Sequence, residues 1–268
     1  MTPKLTSGQI LDRLRAGGSP EAVAGMARFG IASTNTLGVS IPNLRGLAKE
    51  AGRNHRVALE LWDSGIHEAR ILASMVDDPK AVTEAQMDAW VADFDSWDVC
   101  DQVCSNLFRF TPYADKKCIE WSEAQKTFVK HAAFALIASL AAWDKSAPDG
   151  RFEAFLPLII REAADDRNFV KKAVNWALRQ IGKRNAALNR SAVAVAEQLL
   201  AMDSKAARWI FADTLRELKS PALQGRLNNR DGRRGALYAP ARGDRRRPGS
   251  GPRPPPATIT GLKLVGTR

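Results

Sequence analysis

The feature that most narrows the fold is a helical hydrophobic pattern interrupted at near-constant intervals. Apolar residues recur at three- and four-residue spacing in Ile10–Leu14, Val57–Leu61, Ile71–Val76, Phe134–Leu140 and Val193–Leu200, the period of an amphipathic helix. Runs alternating with period two are essentially absent over residues 1–225, which argues against a sheet-based fold. Pro42, Pro79, Pro112 and Pro148 stand 37, 33 and 36 residues apart, each in or beside a turn. Each interval holds two helices and two turns, so the pattern predicts an all-α body of helical-hairpin repeats stacked into a curved α-solenoid. Thr111-Pro112 reads as an N-cap followed by proline at the first helical position. Pro157, inside FEAFLPLIIREA, predicts a kink or a late helix start.

The repeat body is expected to span residues 1–225. Residues 226–268 are rich in Arg, Gly and Pro and lack helical periodicity, so they are expected to form a disordered tail. Their Arg:Lys ratio is 10:1 against 16:13 in the body, the composition of an appended segment or of one read in a shifted frame. Of the net charge of +11, the tail carries +9 and the body only +2. Whole-chain charge therefore says little about partners, and the clustering of charge within the body matters more. No apolar run reaches the roughly 20 residues of a spanning helix, and MTPKLTSGQI lacks the apolar region of a secretory signal. A cytoplasmic monomer away from any membrane is the expectation. Cys100, Cys104 and Cys118 are odd in number, the first two one helical turn apart in an apolar stretch. Buried free thiols are expected, rather than disulfides or a zinc site.

Two segments carry the residue types that could do chemistry. Arg167–Arg190 holds seven basic residues and no acidic ones. On a helix, Lys172, Trp176, Arg179 and Lys183 share one face, and Val170, Val174, Leu178 and Ile181 form the opposite, core-facing stripe. A tryptophan amid cations suits nucleic acid, although Trp176 packed on a neighbouring helix beside ordinary surface lysines explains the pattern equally well. In DFDSWDVCDQVCSNLF, Asp95 or Ser96 can cap a helix beginning near Trp97, which makes Trp97 and Asp101 i, i+4 neighbours, with Cys104 and Phe108 continuing that face. An aspartate beside an indole suits electrostatic catalysis; the alternative makes Asp98 and Asp101 first-turn acids that complement the helix dipole. Lys130 and His131 open an Ala-rich helix, and His55 and His67 fit no paired metal-ligand spacing. Neither a Walker loop nor GxGxxG is present, so no cofactor and no metal are expected.

Taken together, GVSIPNLR (38–45), HEARILA (67–73), SWDVCD (96–101), FVKHAAFAL (128–136) and NFVKKAVNWALRQIGKRN (168–185) resemble the bacterial DNA alkylation-repair family of AlkD-like, HEAT-like repeat DNA glycosylases. The resemblance spans roughly residues 5–225. It implies that Trp97 and Trp176 flank a lesion-bearing nucleotide and that Asp101 supports hydrolysis of the glycosidic bond. The implied substrates are cationic N3- or N7-alkylpurines in double-stranded DNA, cleaved without a metal and without burying the base in a pocket. Such a base is already a good leaving group, so an anion and two π faces can stabilise the cationic sugar. The family has an arginine on the DNA backbone where this chain has Lys130-His131. Lys130, His131, Lys172, Arg179, Lys183 and Arg184 are the expected DNA contacts, and about five phosphate contacts predict a salt slope near −4 to −5. The alternatives are a non-catalytic protein that binds distorted or branched DNA, and a helical scaffold for protein partners.

Overall fold

The computed structural model describes residues 5–31 and 34–237. All regular elements among them are helical. Helices α1 (Ser7–Ala16) and α2 (Pro20–Ala27) precede α3 (Ile41–Ala51), α4 (His55–Asp63), α5 (His67–Val76), α6 (Glu84–Ala92) and α7 (Trp97–Asn106). A 3-10 turn, Phe108–Phe110, leads into α8 (Ala114–Ser122) and α9 (Thr127–Trp143). The chain continues through α10 (Asp149–Glu153), α11 (Leu156–Glu162), α12 (Asn168–Gly182), α13 (Ala186–Leu200), α14 (Lys205–Leu218) and α15 (Pro221–Leu237). No helix among the described residues is long and apolar enough to cross a membrane.

Local chemistry sets most helix starts. Side chains of Thr6, Ser19, Ser40, Asn54, Thr83, Asn185 and Ser204 accept the N–H of the third helical residue of α1, α2, α3, α4, α6, α13 and α14. In α1, Gln9 returns the bond to Thr6 and completes a capping box. Pro157 lies in the first turn of α11, after a break from α10, so the late start is what this proline produces. Thr111-Pro112 does not open a helix: α8 begins at Ala114, and the Thr111 hydroxyl donates to Phe108 O at 2.8 Å, closing the 3-10 turn instead. The boundary expected at 225 also moves, because α15 runs to Leu237 and Leu227 is buried in the core. The expected disordered tail, from residue 238 onward, lies outside the described residues.

Helices α3, α5, α7, α9, α12 and α14 pack side by side in one layer, and α4, α8 and α13 cover it. Hydrogen bonds join successive units at similar chain offsets: Trp62 Nε1 to Asp93 Oδ2 (3.0 Å), Trp121 Nε1 to Asp88 Oδ1 (3.0 Å) and Asn175 Nδ2 to Asp213 Oδ2 (2.6 Å) span 31, 33 and 38 residues. This is the one-dimensional contact pattern of a solenoid. Central α9 is buried from Lys130 to Ala141, as a helix apolar on all sides must be. Trp62 stacks on Trp90 at 4.0 Å, and Phe108 bridges Trp90 and Trp121, each such pair adding about 0.5–1.5 kcal/mol beyond its buried area. The N-terminal loop is tied to this frame by Glu68, whose buried carboxylate accepts from the N–H groups of Leu37, Gly38 and Val39. Gly38 sits at φ +82°, where a Cβ would lie 2.3 Å from Ser19 O, so only glycine fits.

Candidate active-site cleft

Helices α7, α9, α12 and α14, with the loop after α2, enclose an open cleft of about 770 Å³. Trp97, Asp101, His131, Lys172, Trp176 and Arg179 line it together. Residues separated by up to 82 positions thus converge because successive inner-layer helices lie side by side and present one face to the same side. Unlike most others, α7, α9 and α12 have no side-chain hydrogen bond at their N-caps. The open N–H groups and positive dipole ends of these helices suit anions at the mouth of the cleft. Ser96, placed to cap α7, donates its hydroxyl to the Asp98 carboxylate instead.

Asp101 is 24% exposed, and its Oδ1 lies 2.8 Å from His131 Nε2. The other ring nitrogen, Nδ1, lies 3.0 Å from the Phe169 carbonyl oxygen. A carbonyl can only accept, so Nδ1 carries the hydrogen, and an ionised Asp101 requires a second hydrogen on Nε2. His131 therefore fixes the rotamer of Asp101 and occupies one of its oxygens. The indoles are anchored as well. Trp97 Nε1 donates to Phe29 O at 3.0 Å, and Trp176 Nε1 donates to Gln180 at 2.9 Å once that amide is oriented to accept. With both N–H groups engaged, the ring faces are what remain for a ligand. Cys100, Asp101 and His131 bring potential ligand atoms within 4.8 Å of one another. Burial pushes the Cys100 thiol well above its ordinary value, which opposes the thiolate that a metal would need.

Several expected DNA contacts are placed differently. Lys130 is buried, ion-paired with Glu162 and 3.5 Å from Asp165, so its ammonium is withdrawn from the surface. His131 is buried against Asp101 rather than set toward a phosphate. Arg184 is 7% exposed: its guanidinium donates to the carbonyls of Ala141, Asp144 and Ala147 and stacks 3.8 Å over Phe152. The acid-free run 167–190 hides acids supplied by α14. Glu217 takes Arg179 and Lys183, each at 2.8 Å, and Asp213 lies 3.4 Å from Arg179. Burial works against the Glu217 charge, but these two cations hold its pKa below the ordinary value. Among the described residues, Lys172 and Arg28 are the exposed cleft-lining cations without an ion-pair partner. Glu217→Gln is therefore expected to free Lys183 and leave Arg179 only its longer pair with Asp213, tightening DNA binding at low salt. The slope of log K against log salt should steepen by about 1 to 2 units, measurable by fluorescence anisotropy titrations.

Sequence reasoning missed Phe29 and Trp209, both cleft-lining and 71% and 38% exposed. Lys171 stands 5.0 Å over the Trp209 ring, a cation–π contact that leaves the aromatic edge at the rim. Nothing adjacent in sequence marks either residue; only the solenoid stacking brings them to Asp101. Next to the cleft, His67 Nε2 bonds Asp98 Oδ2 at 2.9 Å. Burial lowers the His67 pKa, yet Asp98 outweighs it and holds the ring above 6.5; Asp98 in turn, despite burial, is held below 3.8 by His67 and Ser96. A raised histidine stabilises the fold fully below its unfolded pKa and loses that contribution as pH rises through the folded value. The lowered aspartate contributes above its unfolded pKa and fails as pH falls through its folded value. Thermal melts are thus expected to show a loss of Tm above about pH 6.5 that His67→Gln abolishes.

A solved structure described as "a new family of proteins related to the HEAT-like repeat DNA glycosylases with affinity for branched DNA structures" superposes with TM-score 0.68 at 20% identity, covering 83% of this chain and 96% of that one. At that identity the likeness concerns the fold, a HEAT-like repeat solenoid. Two engineered proteins, 15% and 14% identical, cover 68% and 80% of this chain (51% and 90% of their own), but with a TM-score of 0.37 each they carry no argument. No curated protein matches the chain. Residues 10–216 match the family described as DNA alkylation repair enzyme, and over that span the chain belongs to it.

Proposed function

We propose that the chain is a DNA glycosylase that hydrolyses the N-glycosidic bond of cationic N3- or N7-alkylated purines in duplex DNA, acting as a monomer. The observation that carries this reading is Asp101, fixed by His131 between Trp97 and Trp176 in one open cleft. When the C1′–N bond breaks, its electron pair leaves with the base and neutralises the cationic purine. Positive charge then grows on the sugar, where one carboxylate oxygen and two indole faces stabilise it more than they stabilise the ground state. Water adds to C1′ and loses its proton to solvent by way of Asp101. A cationic base needs no acid to protonate it, so a single carboxylate suffices where ordinary glycosidases employ two. Neither a metal nor a cofactor is required in this scheme. Lys172, Arg28 and the open N-termini of α7, α9 and α12 are suited to hold phosphates beside the lesion.

The test is release of 3-methyladenine and 7-methylguanine from methylated duplex DNA, with unmethylated duplex as control. Release above the spontaneous rate is expected, and its absence at saturating protein would sink the reading. The Arg-rich segment requires a control chain that ends after Leu237. Ending at 225 would cut α15 and remove buried Leu227. A second reading, non-catalytic binding of distorted or branched DNA, is favoured by one observation: the His131 hydrogen bond draws on the Asp101 charge. It predicts tight binding to such DNA without base release.

A further inference from the structure

The opposite end of the central helices carries a patch that the cleft does not use. The 3-10 turn after α7 buries Phe108 and turns Phe110 outward, 51% exposed. Trp143, the last residue of α9, is 63% exposed. Arg109 joins the two rings: its guanidinium carbon lies 3.8 Å from the Phe110 centroid and 5.5 Å from that of Trp143. Its Nε donates to Ser105 O at 2.5 Å, which fixes the plane of the group. Burial disfavours the Arg109 charge and Asp144 supports it, but from beyond ion-pair distance, itself held by Arg151 at 2.7 Å. Among the described residues Arg109 has no ion-pair partner. A partly desolvated cation without a counter-ion favours the arrival of an anion.

Position and chemistry select a partner. Along α7 the side chains left partly open are Trp97, Asp98, Asp101, Gln102, Ser105 and Asn106, one stripe that starts in the cleft and leads to Arg109. The patch thus continues the face on which DNA is proposed to lie. Trp143 follows His131 by 12 residues on α9, about 18 Å along the helix, too far for the nucleotide held at Asp101. Two flat rings around a guanidinium match a base and its phosphate. Bases stack on aromatic faces whatever their identity, and a guanidinium binds phosphate through paired N–H groups. A protein partner fits less well, because a stable interface buries about 800 Å² on each side, and two rings offer only a small part of that. We propose that Arg109, Phe110 and Trp143 form a second nucleotide site, where an unpaired base of a DNA strand stacks on Trp143 and Arg109, backed by Phe110, holds its phosphate. Bases inside a duplex have no free face, so this site adds affinity for DNA that carries a single-stranded extension. It depends on DNA as the partner and not on base excision.

The full chain is titrated by fluorescence anisotropy with a short oligothymidylate, a blunt duplex, and the same duplex with an oligothymidylate extension. The extended duplex is expected to bind more tightly than the blunt one. Trp143→Ala should weaken oligothymidylate binding at least about fivefold, the loss of one stacked base, and Trp143→Phe should retain most of it. Arg109→Gln should make the salt slope on the single strand shallower by about 0.7. Residues 238–268 are common to all variants, so their cations cannot produce these differences. Photo-crosslinking with oligothymidylate that contains 5-iododeoxyuridine, mapped by mass spectrometry, is read on the unsubstituted chain and stands even where a variant fails to fold. Adducts at Trp143 or Phe110 are expected. Adducts confined to the cleft or to residues 238–268, or an unchanged affinity of Trp143→Ala for the single strand, overturn the proposal. So does self-association of the chain that Trp143→Ala abolishes, which would assign the patch to a second copy. Base release from methylated duplex is measured on the same preparation: its absence refutes the glycosylase reading and leaves this site intact.

Discussion

Asp101→Asn is expected to slow release of 3-methyladenine from methylated duplex DNA by about 10²–10³-fold, the usual effect of removing one preorganised electrostatic group. The substitution keeps shape and keeps an oxygen able to accept from His131 Nε2, so neither the fold nor the cleft should change. What it removes is the negative charge opposite the developing sugar cation. Affinity for duplex DNA should stay within about threefold of wild type, because the lost interaction forms only in the transition state. Single-turnover release assays and anisotropy titrations together separate the two quantities. A rate within about threefold of wild type would mean that Asp101 carries no catalytic charge. In that case the Asp101–His131 pair is structural, and the binding-protein reading takes precedence.

The second large effect concerns stability, at a residue whose sequence context suggested DNA. Arg184→Ala is expected to destabilise the fold by about 3–5 kcal/mol, because it strands one buried and two half-buried carbonyls, at about 1–3 kcal/mol for the buried one and less for the others, and removes a desolvated cation–π contact. The stranded groups are the carbonyls of Ala141, Asp144 and Ala147, and the lost ring contact is to Phe152. Together they join the end of α9 to the α10 and α13 units, so the defect falls in the middle of the solenoid. For a body of this size the fall in Tm should be about 8–15 °C. A phosphate-contacting arginine would behave oppositely, with unchanged melting and a salt slope shallower by about 1 unit. Denaturation by heat and by urea, beside a salt titration, decides between these outcomes. Lys183, one residue earlier and tied to Glu217 near the surface, should show a far smaller stability effect, since partly exposed ion pairs contribute little.

Arg184 and Lys130 illustrate what was legible in the sequence and what was not. Both lie in segments whose pattern and order resemble a DNA-repair family, and the segments were placed correctly: α12 buries Val170, Val174, Leu178 and Ile181 and turns Lys172 and Trp176 to the cleft. Within those segments the fate of each cation depended on partners elsewhere. Lys130 meets Glu162 and Asp165 from the next unit, and Arg179 and Lys183 meet Glu217 from α14. A one-helix projection lists charges along a face but omits the acids that a neighbouring helix supplies to it. The same omission hid Trp209 and Phe29, which reach the cleft only through stacking.

The sequence by itself determined the helical periodicity and the breaks between hairpins, because these depend on local period and capping chemistry; it joined Trp97, Asp101 and Trp176 only through the family resemblance of their segments. Tertiary structure alone decided which cations remain available to a phosphate, that His131 grips Asp101, and that Phe29 and Trp209 reach the cleft. The physical reason is the solenoid register. Contacts there join residues about 30 to 40 positions apart, beyond the range of any local pattern, and a charge acquires its role only from the group set opposite it.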